Sequence, residues 1–351
     1  MLFLYKFEND QIKDLFKLIF NNANAATFGS YDNSYIWGLL PEVLDTLITA
    51  RLLKANNEVL FERRTKLKKS GKVRVYYAPH DEIKRCLREL NVFFQRIYDS
   101  KNADFQVAYK KGKSVYNNAE IHKENKYVYN IDLKDFYPSC KKDLVRNYVE
   151  FLFNAIPGKV AVLEEFLDII TIDDGLFIGS PISGCLANAI LSQAVKYIKN
   201  MCLKNDMEFS VYADDMTFSS NKRIKKENIE HMFSEAFVTY HLDQYFSLNE
   251  DKSVGFTGKN RKVTGVSINE NNDLTTKRRY YREVRSMINH LANDQVPTVN
   301  VNKLRGKIAY GVMIDDSGKF YRYLKKYMDT VKQYKLCSDE KLNELKTRFE
   351  K

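Results

Sequence analysis

The stretch Phe209-Ser210-Val211-Tyr212-Ala213-Asp214-Asp215-Met216-Thr217-Phe218-Ser219 constrains the fold more than any other part of this 351-residue chain. Two strand-like runs flank adjacent acids, a pattern that predicts a β-hairpin with both carboxylates at its turn. Ionised neighbours repel each other, so a fold that holds them together at a hairpin tip commonly has a cation there. The pair is a candidate metal site. Taken alone, Tyr212-Ala213-Asp214-Asp215 reads as well as an acidic turn, and the rest of the chain has to decide.

With 44% hydrophobic and 29% charged residues, the composition is that of a globular protein of two or three subdomains, which excludes disorder. Lys and Arg number 56 against 45 Asp and Glu, a net charge of +11 that favours a polyanionic partner. The five cysteines, Cys86, Cys140, Cys185, Cys202 and Cys337, are scattered without CxxC spacing. They argue for reduced thiols in a cytoplasmic chain and against a zinc site or a disulfide framework. No apolar run reaches the length of a bilayer span, and the opening Met1-Leu2-Phe3-Leu4-Tyr5 is broken by Lys6, Glu8 and Asp10. Neither signal peptide, anchor nor membrane partner is expected.

Residues 7–20 place Ile12, Leu15, Phe16 and Ile19 at helical spacing, and a second apolar segment runs from Leu39 to Leu53. Arg63 to Arg74 then holds seven basic residues and no acid around a Ser70-Gly71 turn. Such a hairpin is either a solvated face or a ribbon lying along a phosphate backbone. Asp81 to Tyr98 predicts a helix with Ile83, Leu87, Leu90, Phe94 and Ile97 on one face. A basic loop leads into Asn118-Ala119-Glu120-Ile121-His122, where a lone histidine is by default structural. Lys126 to Phe136 alternates like a strand, carries Asp132, and is expected to end at Pro138.

The small-residue stretch Gly175 to Gly184 precedes an apolar helix, Cys185 to Ile198, that bears Asn188. It is a tight connection or a place where a nucleotide comes close. Past the acidic hairpin, Ile224 to Phe246 reads as one or two helices and Arg261 to Ile268 as a strand pair. A helix from Lys277 sets Tyr281, Val284, Ile288 and Leu291 on one face and Arg278, Arg282 and Arg285 on an adjacent one. Between Lys259 and Lys332 there are 16 basic and 7 acidic residues, a density suited to holding nucleic acid. Tyr280, Tyr310, Tyr321 and Tyr323 are expected to stack on bases there.

Asp132 and Asp214 stand 82 residues apart, each at the end of an expected strand. If the strands are neighbours in one antiparallel sheet, the acids converge and can hold two divalent cations. Two such ions activate a 3′-hydroxyl and stabilise a leaving pyrophosphate, the chemistry of nucleotide polymerisation. An oxygen-only site suits Mg²⁺.

Asp132 with its following aromatics, Gly179-Ser180-Pro181-Ile182-Ser183 with Asn188, Tyr212-Ala213-Asp214-Asp215, Lys252 and the basic C-terminal region occur in the order that resembles reverse transcriptases. Asn118-Ala119-Glu120-Ile121-His122 and Val263-Thr264-Gly265 are similar to the NAxxH and VTG elements of bacterial retron reverse transcriptases. The resemblance covers about residues 60–330. It implies an α+β right-hand polymerase: fingers over residues 1–125, an antiparallel-sheet palm over 126–270 and a basic helical thumb over 271–351.

It further implies that Asp132, Asp214 and Asp215, with the backbone carbonyl of Leu133, bind two Mg²⁺ ions. Tyr137 would gate against a 2′-hydroxyl, with Phe136 as the inward residue of that pair. Arg74, Ser180, Pro181, Ser183 and Lys252 would contact the deoxynucleoside triphosphate. Asn118, His122, Val263, Thr264, Gly265, Arg278, Arg282, Arg285, Arg305 and Lys307 would contact RNA. The expected partners are a cognate noncoding RNA, its DNA product and a separate effector protein. By the same resemblance the RNA primes from a guanosine 2′-hydroxyl, the product is branched multicopy single-stranded DNA, and the setting is antiphage defence. Ile178 departs from the family's usual Gln, which touches a polar contact to nucleotide or template and not the metal chemistry. Two other readings stay open: an abortive-infection-type reverse transcriptase without a branched product, and a non-catalytic RNA-binding scaffold.

Overall fold

The computed structural model describes residues 61–67, 71, 73–99, 104–150, 159–258, 261–293 and 299–350. The helix expected over 7–20, the segment 39–53 and Lys68, Lys69, Ser70 and Lys72 of the basic run lie outside them. In chain order the first elements are β1 (Phe61–Leu67), β2 (Val73–Pro79), α1 (Asp81–Asp99), α2 (Val115–Glu120) and β3 (Tyr127–Asp132). Next come α3 (Phe136–Ser139), α4 (Lys142–Val149), α5 (Lys159–Ile170), α6 (Ser183–Lys204), β4 (Glu208–Tyr212), β5 (Asp215–Ser220) and α7 (Lys226–Thr239). The last are β6 (Val254–Thr257), β7 (Arg261–Val263), β8 (Val266–Ile268), β9 (Leu274–Thr275), α8 (Arg278–Ala292), α9 (Val301–Ile314), α10 (Lys319–Lys326), α11 (Met328–Gln333) and α12 (Asp339–Phe349). The class is α+β, with every strand pairing antiparallel.

Two compact units interleave along the chain. One takes in residues up to Asp104, Leu133–Lys196 and Phe237–Ser247. Here β1 and β2 form the basic hairpin, with Lys66 opposite Arg74 and Leu67 opposite Val73. Helix α1 buries Ile83, Leu87, Leu90, Phe94 and Ile97, the face its periodicity predicts.

The second unit comprises Phe105–Asp132, Tyr197–Ala236 and Leu248–Lys351. Its main sheet has the order β4-β5-β3-β6 and its small sheet the order β7-β8-β9. Val128, Ala119, Val263, Val266, Ile268, Leu274 and Ile314 pack into one core. The C-terminal helices close a second core around Val284, Ile288, Leu291, Leu304, Ile308 and Leu324.

Some expectations change. Strand β3 ends at Asp132, well before Pro138, which lies inside α3. The break comes from Asp135, whose φ of 45° takes the backbone into the left-handed region. Tyr321 and Tyr323 are 4% and 8% exposed and belong to the C-terminal core, so they are not stacking platforms. The Tyr280 ring packs edge-on against Tyr310 and its hydroxyl donates to the Lys307 carbonyl. Long apolar-aromatic side chains at helical spacing serve the interior first, and here they leave Arg278, Arg282 and Arg285 among the exposed residues.

All five cysteines are free thiols, and among the described residues no helix is long and apolar enough to cross a membrane. Ile288→Ala, which empties a fully buried site in the C-terminal core, is expected to destabilise the chain by about 2–5 kcal/mol. Arg282→Ala on the exposed face of the same helix should change stability by less than about 0.5 kcal/mol. Urea unfolding of both variants checks the contrast.

Candidate active site

Strand alternation assembles the acids. The register of β3 against β5 sets Asp132 directly opposite Asp215, while Tyr212 opposes Asp215 across the hairpin. Only Ala213 and Asp214 remain to make the turn, and Ala213 is held at a φ of 59°. For a side chain with a Cβ this conformation costs roughly 1–2 kcal/mol. Strain of this kind persists only where the surroundings over-determine it.

Asp132 is 5% exposed and fully engaged. Lys252 Nζ donates to both carboxylate oxygens, at 2.9 and 2.8 Å. Asn249 donates twice, its side chain to Oδ2 at 3.1 Å and its backbone N–H to the Asp132 carbonyl at 2.8 Å. The Asn249–Lys252 turn thus clamps the end of β3 just before the chain enters β6. Burial lowers the Lys252 pKa, but its hydrogen bonds to Asp132 and the charges of Asp132, Asp214 and Asp215 outweigh that and raise it.

Asp215 shows what three acids do to one another. Burial first, then repulsion from Asp214 and Asp132, push its pKa up to about 7, with Lys252 pulling the other way. Three carboxyl groups and one ammonium leave uncompensated negative charge, the electrostatic state that a divalent cation relieves. As they stand, no group of three or more His, Cys, Asp or Glu side chains among the described residues is arranged to hold an ion. The donor chemistry fits a hard cation, since the candidate donors are all oxygen.

Farther along the acidic hairpin lies a buried polar tie whose partners the sequence did not reveal. His122 is 0% exposed, and its Nδ1 and Nε2 each lie 2.7 Å from a serine Oγ, of Ser219 on β5 and Ser210 on β4. Asn125 Nδ2 donates to the same Ser219 oxygen at 2.8 Å. Asn118, also 0% exposed, donates to Thr264 Oγ1 at 2.5 Å. Asn118, His122 and Val263 are therefore enclosed side chains. Their expected contact with RNA gives way to an internal role, because none reaches solvent. Of the turn between β7 and β8, Gly265 is exposed and Thr264 half-buried.

Arg261, 3% exposed, donates to the carbonyls of Lys123, Asn125 and Asn269 and to Asn272 Oδ1. It fastens the loop after His122 to the turn before β9. Polar residues at core-facing strand positions, Ser210 and Ser219, were the one available signal for this network. In the C-terminal helices Arg278, Arg282 and Arg285 are exposed. Arg305 instead donates to the Tyr334 and Lys335 carbonyls, and Lys307 pairs with Glu283 at 3.1 Å.

The other unit carries the remaining expected nucleotide contacts. The Ile178 carbonyl accepts the Tyr77 N–H at 2.9 Å, which locks the 179–183 loop to β2. Gly179 sits at a φ of 113° with the Tyr77 carbonyl against it, where a Cβ would approach to 2.1 Å, so only glycine fits. Ser183 Oγ donates to the Phe177 carbonyl at 2.9 Å, and Ser180 Oγ is buried without a partner among the described residues. Pro181 and Tyr137 are half-buried, Phe136 is buried, Leu133 is buried and Arg74 is exposed.

Residues 66–268, more than half of the chain, match the family described as reverse transcriptase (RNA-dependent DNA polymerase), and the chain belongs to that family. It is an RNA-directed DNA polymerase. Within the family it is similar to retron Ec83 reverse transcriptase of Escherichia coli, 28% identical over 252 residues that cover 67% of this chain and 78% of that protein. Retron Ec73 reverse transcriptase of the same species is 29% identical over 281 residues, 76% and 86% of the two chains. Among solved structures, Candida albicans telomerase in complex with a telomeric RNA fragment aligns over 84% of this chain and 64% of that one, at a TM-score of 0.46 and 14% identity.

Burial lowers the His122 pKa from 6.5 to about 3, so the folded chain keeps the ring neutral where the unfolded chain protonates it. The stability this contributes is present above pH 6.5 and is lost as pH falls toward 3. Between pH 6 and 5 the wild type should therefore lose about 1 kcal/mol more than His122→Gln. Urea unfolding at both pH values checks this, and equal losses would refute it.

Proposed function

We propose that this chain is a retron-type reverse transcriptase. It copies part of a dedicated noncoding RNA, starting from the 2′-hydroxyl of an internal guanosine, and yields branched multicopy single-stranded DNA. The observation that carries the reading is the direct bond between Asn118 and Thr264. It joins the two elements by which the chain is similar to retron enzymes rather than to reverse transcriptases at large. The retron relatives, matched along most of their length, support the same reading.

In this reading residues 126–270 serve as the palm, with fingers before and a basic thumb after. Asp132, Asp214, Asp215 and the Leu133 carbonyl would hold two Mg²⁺ ions. When bound, these ions supply activation of a primer hydroxyl and stabilisation of the departing pyrophosphate. The rest is the work of the chain's own groups. Lys252 and Asn249 fix the Asp132 carboxylate in one rotamer while neighbouring acids repel it. Tyr137 sorts deoxyribose from ribose, and Arg74, Ser180, Pro181 and Ser183 border the deoxynucleoside triphosphate. Arg278, Arg282 and Arg285 present guanidinium groups to RNA phosphates. The setting is the cytoplasm, and a separate effector protein completes an antiphage system.

The test is to express the chain with its flanking genomic sequence, extract nucleic acid, and compare the wild type with Asp214→Ala/Asp215→Ala. A short RNase-resistant DNA joined to RNA, present only in the wild type, is the expected result. DNA without an RNA branch would point to an abortive-infection-type enzyme, and equal nucleic acid in both samples would leave a binding scaffold.

A further inference from the structure

A cavity of about 530 Å³ opens on the side of the main sheet away from the acids, beside the edge strand β6. Side chains alternate along a strand, so Val128, Asn130 and Asp132 share one face of β3 while Tyr127 and Tyr129 take the other. Both tyrosines line the cavity. Across the strands Tyr129 is paired with Gly255, where a Cβ would lie 3.1 Å from the tyrosine ring. Glycine at this register lets the edge strand lie close against the Tyr129 ring, which fills the space a side chain would take. Tyr129 is 9% exposed, and among the described residues nothing accepts from or donates to its hydroxyl.

The opposite wall is the segment that links β5 to α7 together with the first residues of α7. It contributes Arg223, Lys225 and Lys226, against a single acid, Glu227. Lys226 is paired with Glu230 at 3.2 Å. Arg223 and Lys225 are exposed and make no ion pair with any described residue. The cavity thus combines the half-buried ring of Tyr127 with two uncommitted cations on one side. Planar apolar surface next to anion-binding groups is the recognition chemistry of a nucleobase and its own phosphate. An acidic peptide would answer the cations but leave the ring face unused.

We propose that this cavity is a nucleotide-binding site separate from the carboxylate centre, taking a base against the half-buried Tyr127 and its phosphate on Arg223 and Lys225. The nucleotide is either free or one unit of a single strand. The assignment does not depend on the retron reading, because it concerns the face of the sheet that the acids do not use. A strand held there would remain tethered while Asp132, Asp214 and Asp215 stay open to substrate.

The experiment is ultraviolet cross-linking of the full chain to a labelled oligodeoxynucleotide carrying 5-iododeoxyuridine, followed by peptide mapping. An adduct on Tyr127 or Tyr129 is expected in the wild type. Arg223→Glu/Lys225→Glu alters exposed side chains without internal bonds, so it should fold normally, reduce that adduct by about tenfold and leave extension of a primed generic template unchanged. Competition with 5′-AMP separates the sources. Suppression of the adduct assigns the site to free nucleotides, and persistence assigns it to a strand. Absence of an adduct on both tyrosines, or an undiminished adduct in the charge-reversed variant, would overturn the proposal.

Discussion

Two carboxylates face each other across paired strands, and the neighbouring structure answers that constraint. Asp132 and Asp215 occupy one rung of the β3–β5 ladder, with Asp214 next along the chain. Left alone, such a trio would relax by protonation or by movement. The protonation tendency is visible in the raised Asp215 pKa, and movement is blocked by the donors converging on Asp132 from Lys252 and Asn249. The strained Ala213 turn is the backbone counterpart of the same arrangement. Chemistry that needs concentrated negative charge has to be built by a scaffold stiff enough to oppose it.

That stiffness comes partly from a layer of buried polar groups between the sheet and α2. His122 bridges the two strands of the acidic hairpin, Asn118 reaches the β7–β8 turn, and Arg261 gathers carbonyls from two loops. Apolar packing tolerates small slides, whereas a bond between specific donors and acceptors fixes register. Directional bonds of this sort therefore hold a hairpin whose tip must not slip by one residue, since a slip would turn Asp215 to the other face of the sheet. Burial without charge is the condition for this role, and a neutral imidazole meets it.

The sequence was most informative where a residue's chemistry is unusual for its place. Adjacent acids between strand-like runs, glycine before Ser180 and the periodic faces of α1 and α8 were all legible, because each is a local pattern with a local cause. The hairpin, the antiparallel class and the pairing of Asp132 with the acidic turn follow from them. What could not be read was the partner of a polar side chain. Asn118 looks like a surface group until the fold encloses it, His122 reads as structural but without its two serine partners, and Asn249 is an ordinary loop residue until β3 ends beside it. Tyr321 and Tyr323 were misread for a related reason, since an aromatic residue among lysines reads alike as a stacking platform and as core. Pairings made over 88 to 146 residues leave no periodic trace in either partner.

The sheet order β4-β5-β3-β6 has a consequence for synthesis of the chain. One of its two inner strands, β3, is made before the other three, and its neighbours on both sides come from segments 83 to 130 positions later. Long-range antiparallel pairing is slow to nucleate because loop closure precedes any gain from contact. Asp132, with the apolar residues of β3 around it, emerges from the ribosome with no strand beside it, and Lys252 emerges 120 residues later. A nascent or prematurely terminated chain thus exposes a sticky strand and holds no assembled acids. The sheet that carries Asp132 therefore closes only once residues 254–257 have been made.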